Sequence, residues 1–434
     1  MVGTIDRVRR GSSATRTPRR LLLAAVAPAV CVLGFSVMLT VIVGGVRDGY
    51  RSVGADSNAA VSAAGELTYD LADMDGKAAE ILLVGDGSGL PQDRDSLYQA
   101  YENDEADANA RLTGLGPGLD GVPGAATAFA AVENGLDQYS ADVARAFYLD
   151  WLDHGQPLAR PPSAALAQYQ TATAAMHEAG TGLLAEANAL FRDEQFAAGE
   201  GYQGRLDVLG AVSVAGVALT LLVVAVLILV QVRLARKFHR VLNPLIALST
   251  VFTLVFGVLL FSALGQARDS YAAERAGQTT TYWQDAADGA DMKASDTRWL
   301  LDLAGTTVSS GTGISAERAQ FGTDQIEVGS SGPAFATYLA DDRHLTAVAG
   351  DGTNATELSA AATFDIGQTD QDFAKYVSEV NRSIVSASGL AAAAGARGSG
   401  GLLPWLWLPS GWALVMFALI LGGVRPRLRE YHGD

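Results

Sequence analysis

Two long apolar runs joined by a short basic loop constrain this chain more than any other feature. The runs 209–232 and 242–264 carry no ionisable side chain, and each is long enough to cross a hydrocarbon core of about 30 Å as a helix. Two spans joined by so short a loop form a hairpin, and a basic loop is expected to face the cytoplasm. The loop 233–241 contains no acid and these basic or titratable residues: Arg233, Arg236, Lys237, His239 and Arg240.

Hydropathy extends this pattern to four predicted spans. Besides the hairpin, 21–45 and 404–424 are uncharged apolar runs of spanning length. The four runs divide the rest of the chain into five pieces. Two are polar segments of domain size, 46–208 and 265–403, and three are short, 1–20, 233–241 and 425–434. We therefore expect a multi-pass protein embedded in the lipid bilayer of the plasma membrane.

Charge assigns each piece to one side of the membrane. The two polar segments carry 44 acidic and 18 basic residues, whereas the three short pieces carry three acidic and 13 basic residues. Because basic residues next to spans stay inside, we expect both termini in the cytoplasm, with 1–20 as a basic N-terminus and 425–434 as a short tail. Both large segments are then extracytoplasmic, and their acidity argues against nucleic acid as a partner.

The first polar segment has the periodicity of helices. Apolar residues recur there at alternating spacings of four and three residues, which predicts a sustained helix with one apolar side. We call this apolar side the seam, and its residues are Ala60, Ala64, Leu67, Leu71, Met74, Ala78 and Ile81. Glycine- and proline-rich breaks near 85–91, 116–118 and 155–157 divide the segment into four helices. The first (46–84) and the last (163–206) are expected to be continuous with spans, in an up-down-up-down bundle.

The second polar segment resembles a looser copy of the first. Residues 72–83 align with 290–301, at a comparable distance after the preceding span, and internal similarity of this kind indicates a duplicated unit. We therefore predict an all-α membrane protein with four transmembrane helices. Its two extracytoplasmic sensor domains, related by tandem duplication, are each expected to resemble a four-helix bundle.

Motifs for catalysis or metal binding are not found in the sequence. The five histidines share no motif, and a calcium loop starting at Asp73 fails because Lys77 and Val84 occupy ligand positions. No phosphate-binding loop or nucleophile elbow is present. We predict a protein that is not an enzyme, with no catalytic residue, no metal site and no cofactor.

Asp296 is the unusual residue of the second segment, since the alignment places it at the seam position of Ala78, with Arg298 close by. One interpretation is that Asp296 and Arg298 bind an amino-acid-like ligand between helices. The alternative is a salt bridge at the edge of the seam, because most charged helix positions are solvated. By the same reasoning, Asp73 and Asp75 are expected to be surface charges.

Short sequences in both polar segments carry a resemblance to a known family. They are Leu71-Ala-Asp73-Met-Asp75, with Ala78-Ala79 and Leu83-x-Gly85, and Ser295-Asp-Thr-Arg-Trp-Leu-Leu301. With the four-span layout, these resemble actinobacterial four-pass membrane proteins whose genes lie beside those for a glutamine/glutamate-type solute-binding lipoprotein and for protein kinase G. The resemblance implies an amino-acid sensing pathway: the lipoprotein binds an acidic amino acid outside, this chain senses it, and the cytoplasmic serine/threonine kinase responds.

Three functions stay open on this basis. The first is a non-enzymatic transducer, in which a loaded binding protein docks on the bundles and moves the loop 233–241. The second is an accessory or scaffold subunit of an amino-acid uptake system, and the third is an envelope scaffold without a ligand. The ligand and a homo-oligomeric state are left open. In the first case a cytoplasmic partner is expected to contact, directly or indirectly, Arg233, Arg236, Lys237 and Arg240.

Overall fold

The computed structural model describes residues 16–52, 58–85, 90, 92–116, 124–238, 244–276, 279–305, 312–328 and 332–429. Every regular element in these ranges is helical and none is a strand, which confirms the all-α class. In chain order the helices are α1 (Arg16–Ser52), α2 (Asn58–Val84), α3 (Arg94–Leu115), α4 (Ala125–Trp151), α5 (Ser163–His177), α6 (Leu183–Phe238), α7 (Pro244–Ala276), α8 (Thr280–Ala304), α9 (Thr312–Glu327), α10 (Pro333–Ala349), α11 (Ala355–Phe364), α12 (Asp370–Leu402) and α13 (Leu408–Arg429). A π-helix, Asp365–Thr369, joins α11 to α12, and a 3₁₀-helix, Leu403–Leu406, joins α12 to α13.

Four helical stretches of the described chain are long and apolar enough to cross a membrane. They are Ala29–Asp48, Leu183–Arg233, Pro244–Glu274 and Ala355–Gly423. The predicted spans 209–232, 242–264 and 404–424 fall almost wholly within the last three, and the predicted span 21–45 lies within α1. The chain is thus compatible with a multi-pass membrane protein.

The chain divides into two compact units. The membrane unit comprises Met1–Gly54, Gly201–Ala276 and Ala392–Asp434. Its core contains an aromatic cluster in which the ring of Trp412 stacks on Phe256 at 4.8 Å and meets Phe35 edge-on at 5.3 Å. Hydroxyl side chains of this unit donate to carbonyls of their own helices, as Thr220 does to Gly216 at 2.8 Å.

The polar unit comprises Ala55–Glu200 and Gly277–Ala391. The two polar segments do not form separate bundles, because side chains from both contribute to one continuous hydrophobic core. The two segments contain helices in the same order, α2 to α6 and α8 to α12, with shorter helices at the second, third and fourth places of the second set.

Helices α2 and α8 lie side by side at the centre of the polar unit. A Cβ atom at Gly76 would lie 3.2 Å from the Cβ of Ala294, and Gly65 lies against Trp283. Both pairs are 218 residues apart, the same separation as in the alignment of 72–83 with 290–301. The helices that the repeat relates are therefore packed in parallel and in register.

The break between α5 and α6 differs from the expected single helix 163–206. Gly180 has a φ of +82°, which favours glycine. The N–H of Gly182 donates to the carbonyl of Glu178 at 2.7 Å and closes a turn there. Helix α6 then begins at Leu183 and continues as one helix of 56 residues to Phe238.

The long α6 also changes where the basic residues of the predicted loop lie. Arg233, Arg236 and Lys237 belong to the last turns of α6, with the side chains of Arg233 and Arg236 exposed. Arg240 lies outside the described residues, as does the join between the first span and α2 at 53–57.

Candidate functional site

Asp75 of α2 is the centre of one buried polar group, which we call the Asp75 group. Its side chain is 0% exposed. One carboxylate oxygen accepts from the hydroxyls of Tyr139 (2.8 Å) and Tyr169 (3.1 Å). The other contacts three donors: Arg298 Nη1 at 2.7 Å, His177 Nε2 at 3.0 Å and Thr173 Oγ1 at 3.1 Å. The expectation that Asp75 is a surface charge is wrong, because it faces α4, α5 and α8.

Arg298 of α8 divides its guanidinium among three carboxylates. Besides Asp75, it donates from Nη2 to Asp291 at 3.1 Å and from Nε to Glu317 of α9 at 2.7 Å. The side chain is 3% exposed. Each nitrogen of the planar fork has its own acceptor, an arrangement that a lysine ammonium cannot reproduce.

The pKa values in the Asp75 group follow from this geometry. Burial alone would raise the pKa of Asp75, but the hydrogen bond from His177 and the charge of Arg298 outweigh it and lower the pKa below its usual range. Burial raises the pKa of Glu317, despite the opposing charge of Arg298. Asp75 is therefore ionised throughout the physiological pH range.

Lys293 of α8 is the centre of a second buried group, the Lys293 group. Its ammonium contacts Glu80 of α2 at 2.9 Å, Asp370 at 2.8 Å and Asp365 at 3.2 Å, and donates to the hydroxyl of Thr297 at 3.1 Å. Asp365 opens the π-helix and Asp370 follows it. Such wide turns recur at functional sites, and this one carries both carboxylates to Lys293.

Carboxylates outnumber cations in the Lys293 group, even with Lys77, which contacts Glu80 at 3.2 Å. Burial would raise the pKa of Glu80, but the charges of Lys293 and Lys77 outweigh it and lower the pKa to about 2. Burial, followed by the charge of Glu80, raises the pKa of Asp370 to about 7. The Lys293 group therefore takes up or releases a proton near neutral pH.

The predicted ligand pair, Asp296 and Arg298, is divided between two neighbourhoods. Asp296 is 0% exposed and accepts from Arg318 at 2.8 Å and from the hydroxyl of Tyr338 at 2.9 Å. Arg318 also holds Asp342 at 2.6 Å. Among the residues that the structure describes, Asp296 and Arg298 have no hydrogen-bond partner in common, and both side chains are buried. A ligand site that uses both residues stays a prediction, and it would require both ion-pair sets to open.

An open cleft of about 200 Å³ lies beside the Asp75 group, and we call it the α5–α6 cleft. Its lining comes from five helices and the turn between α5 and α6. The residues are Thr68, Ala72, Met176, His177, Glu178, Ala179, Gly180, Leu184, Ala185, Asn188, Ala287, Asp288, Asp291, Gln320 and Asp324. His177 and Asp291 line the cleft and also contact Asp75 and Arg298, so the cleft borders on the buried ion pairs.

A metal centre is not evident in the described residues, where no group of three or more His, Cys, Asp or Glu side chains is arranged to hold an ion. The arrangement offers charge recognition and charge-dependent packing instead. The cleft borders on buried charged side chains. Their ion pairs join α2 to α8 and therefore depend on how these two helices pack together.

Family comparison adds an assignment to the first polar segment. Residues 49–203 match the family model of the actinobacterial sensor domain. This range includes α2 to α5, the start of α6, and Asp75 with most of its donors. The match supports an actinobacterial sensor protein and a role in sensing or signalling. No curated protein and no solved structure matches the chain.

Proposed function

We propose that this chain is a non-enzymatic transmembrane signal transducer that relays the extracytoplasmic availability of a glutamate- or aspartate-type amino acid. In this proposal a solute-binding lipoprotein holds the amino acid outside and docks on the polar unit. A serine/threonine protein kinase in the cytoplasm receives the signal, directly or indirectly. Both termini and the segment 233–241 are then cytoplasmic, and the polar unit is extracytoplasmic.

The observation that carries the proposal is the continuity of α6. One helix of 56 residues contains Leu184, Ala185 and Asn188, which line the cleft, and also the predicted span 209–232. At about 1.5 Å per residue it is roughly 80 Å long. Its first turns belong to the range that matches a sensor domain, and its last turns carry Arg233 and Arg236. A shift at one end of such a helix is transmitted to the other.

Charge favours a binding protein over direct capture of an acidic amino acid. A carboxylate ligand needs a cation that is free to receive it. Arg298 already holds Asp75, Asp291 and Glu317, and Arg318 holds Asp296 and Asp342. The described lining of the α5–α6 cleft contains carboxylates, and no lysine or arginine is among these described residues.

The expected movement is small. Packed helices switch between discrete arrangements that differ by one or two ångströms. The charged bridges between α2 and α8 define one such arrangement, because Arg298 and Glu80 each cross to the opposite helix. A docking protein that favours a second arrangement would displace α6 through the helices packed around this pair.

The test measures two outputs in a deletion strain complemented with wild-type or variant chain. After addition of L-glutamate, phosphorylation of kinase substrates and uptake of labelled glutamate are followed together. We expect Arg233→Gln with Arg236→Gln to abolish the phosphorylation response and leave uptake unchanged. The matched control, Arg427→Gln with Arg429→Gln, removes the same charge from the C-terminal tail and should respond normally.

The opposite pattern would contradict the proposal. If deletion of the chain lowers uptake and leaves kinase-substrate phosphorylation unchanged, the chain serves uptake as an accessory or scaffold subunit. If a tag within 46–208 proves accessible only from the cytoplasm, the proposed orientation fails as well.

A further inference from the structure

Glu274 is a buried carboxyl near the end of α7, and it belongs to the membrane unit and not to the two buried groups of the polar unit. The residue is 4% exposed. It lies beyond the predicted span 242–264, about 15 Å further along the same helix. A carboxyl buried at such a position needs a physical explanation, because ionisable side chains are rarely buried without a partner.

The carboxyl of Glu274 lies directly on Gly395 of α12, within the membrane unit. A Cβ atom added at Gly395 would lie 3.0 Å from Oε1 and 3.2 Å from both Cδ and Oε2. A residue with a Cβ atom at this position would therefore displace the carboxyl. The preceding residue, Ala394, is buried as well. The surface that α12 offers to Glu274 is thus small and apolar.

Ionisation of Glu274 is unfavourable in this position. Among the described residues, none donates a hydrogen bond to Oε2 and none forms an ion pair with the carboxyl. Burial of an unpaired carboxylate is costly, whereas a protonated carboxyl is neutral and costs much less to bury. The contact with Gly395 therefore suits the protonated form and is opposed by the ionised form.

Titratable groups face this part of α7 from its own helix and from α6. Tyr271, one turn before Glu274, is 1% exposed, and its ring meets that of Tyr202 of α6 edge-on at 6.2 Å. Arg205 of α6 is half-buried, and its charge acts on Tyr271. On α12, Arg397 is exposed. An ionised carboxylate would therefore be stabilised by moving toward water and toward the cation of α6, away from α12.

We infer that Glu274 forms a proton-dependent contact between α7 and the end of α12 that begins at Ala392. The protonated carboxyl holds this part of α12 against α7, and loss of the proton releases it. Helix α7 contains the predicted span 242–264, and α12 leads through the 3₁₀-helix into α13, which contains most of the predicted span 404–424. The inference goes beyond the proposed relay, because the signal is a proton and no docked protein takes part.

Chemical labelling of the full chain in lipid nanodiscs tests the protonation state. Dicyclohexylcarbodiimide is an apolar reagent that reacts with protonated carboxyls, and mass spectrometry of peptides identifies the labelled residue. We expect label on Glu274 at pH 6 and more than about tenfold less at pH 9. Glu200, an exposed carboxyl of α6, should be labelled weakly at both pH values.

Hydrogen exchange of the same sample tests the contact itself. Amide protection of residues 388–400, corrected for the intrinsic exchange rate at each pH, should be more than about tenfold higher at pH 6 than at pH 9. Glu274→Gln keeps a neutral side chain of the same size, so its protection should be equal at both pH values. The matched control, Glu200→Gln, should keep the pH dependence of the wild type.

Two glycines of α12 separate the contact from helix propensity. Gly395→Ala places a Cβ atom against the carboxyl of Glu274, whereas a Cβ atom at Gly400 meets nothing within 4 Å. Both substitutions raise helix propensity. Gly395→Ala should move the carboxyl toward water and lower its labelling at pH 7 by about threefold or more. Gly400→Ala should leave this labelling unchanged.

Four results would each overturn the inference. They are absence of label on Glu274 at pH 6, pH-independent protection of 388–400 in the wild type, the same pH dependence in Glu274→Gln, and equal labelling in the two glycine variants. If Glu274→Gln does not fold, as judged by circular dichroism, the labelling of the wild type and of the glycine variants still decides. Neither a binding protein nor a kinase is present in these measurements, so failure of the proposed relay would leave them unchanged.

Discussion

The Asp75 group and the Lys293 group share a layout, but their central residues have opposite charges. Positions 75 and 293 correspond in the repeat, and so do positions 80 and 298, because each pair is 218 residues apart. In one group Arg298 crosses from α8 to an acid on α2, and in the other Glu80 crosses from α2 to a base on α8. Two identical helices would place like charges together at both points. The two copies of the repeat can therefore pack side by side in parallel only because the residues at these positions have opposite charges in α2 and α8.

The two groups also differ in how they compensate their central charge. Asp75 has two tyrosine hydroxyls and one threonine hydroxyl as neutral donors in addition to Arg298 and His177. Lys293 contacts three carboxylates and also donates to the hydroxyl of Thr297. Asp75 stays ionised across physiological pH because its pKa is lowered, whereas the pKa of Asp370 in the second group is raised to about 7.

Removal of Lys293 should produce the largest loss of stability. In Lys293→Met, three buried carboxylates lose their shared cation, and breaking a buried ion pair on one side costs about 3–5 kcal/mol. We expect this loss in the free energy of unfolding at pH 8, from urea titration of the nanodisc-embedded chain followed by tryptophan fluorescence. The loss should be smaller at pH 5, because this lies below the pKa of Asp370, which is raised to about 7, and that carboxyl is then protonated.

Lys375→Met is the matched control, because Lys375 is 67% exposed and pairs with Asp372 at the surface. Exposed pairs contribute about 0–1 kcal/mol. A loss in Lys293→Met no larger than in Lys375→Met would show that the three carboxylates do not depend on Lys293.

Removal of Arg298 should cost less, in the range of about 2–4 kcal/mol. In Arg298→Met, Asp75 keeps its contacts with His177, Tyr139, Tyr169 and Thr173, and Glu317 is 19% exposed and reaches water. Arg298→Lys should recover only part of the loss, since an ammonium cannot serve three separate acceptors with one planar fork. The same urea titration measures both variants.

The order of these two losses tests the asymmetry between the groups. If Arg298→Met is more destabilising than Lys293→Met, the hydroxyl donors around Asp75 do not compensate for the lost guanidinium. Full recovery in Arg298→Lys would show that only the charge of this residue matters.

Of the two groups, the Lys293 group should make stability depend on pH near neutrality, through Asp370, and Asp75 should not. The pKa of Asp370 is raised to about 7 in the folded chain, against about 3.9 when unfolded. The folded state therefore holds a proton that the unfolded state releases, and the stabilisation from this residue is lost as pH rises from about 4 to 7. The slope is at most about 1.4 kcal/mol per pH unit.

Asp370→Asn should reduce the slope between pH 5 and 7 without abolishing it, because burial also raises the pKa of Asp70 to about 7 and that of Asp104 to about 8. The pKa of Asp75 is lowered, so its contribution is present above its unfolded pKa of about 3.9 and is lost only at lower pH. Asp75→Asn should therefore change stability by the same amount at pH 5 and pH 8. Asp137→Asn, an exposed residue, is the control and should leave the pH profile unchanged.

Much of the fold follows from periodicity in the sequence. Of the seven seam residues predicted in α2, all except Ala60 are buried. The buried residues of α3 also recur at helical spacing, at Leu97, Tyr101, Ala108, Leu112 and Leu115. Periodicity reports which side of a helix is buried and not which partner covers it. The shared core of the two polar segments was therefore not predictable from the seams.

The candidate site was largely missed for a related reason. Charged helix positions are ordinarily expected to face solvent, whereas Asp75, Glu80 and Lys293 are buried because an opposite charge on the facing helix compensates each of them. A signal was present in the alignment of 72–83 with 290–301. It places an acid opposite a base at 75 and 293 and again at 80 and 298. Paired charge reversal between two copies of a repeat indicates that the copies face each other.

The smallest expected effect concerns the close approach of α2 to α8. At Gly199 of α6 an added Cβ meets nothing within 4 Å, so Gly199→Ala should stabilise the chain by about 0.5–1 kcal/mol through helix propensity. At Gly76 the added Cβ would lie 3.2 Å from Ala294 and must push α8 aside by a few tenths of an ångström. Overpacking opposes the gain in propensity, so we expect Gly76→Ala to be neutral or destabilising by up to about 1 kcal/mol. Both are read from shifts in the thermal midpoint. An equal stabilisation in the two variants would mean that α2 and α8 are not in close contact at this level, and the charged bridges beside Gly76 would then lack the packing that aligns them.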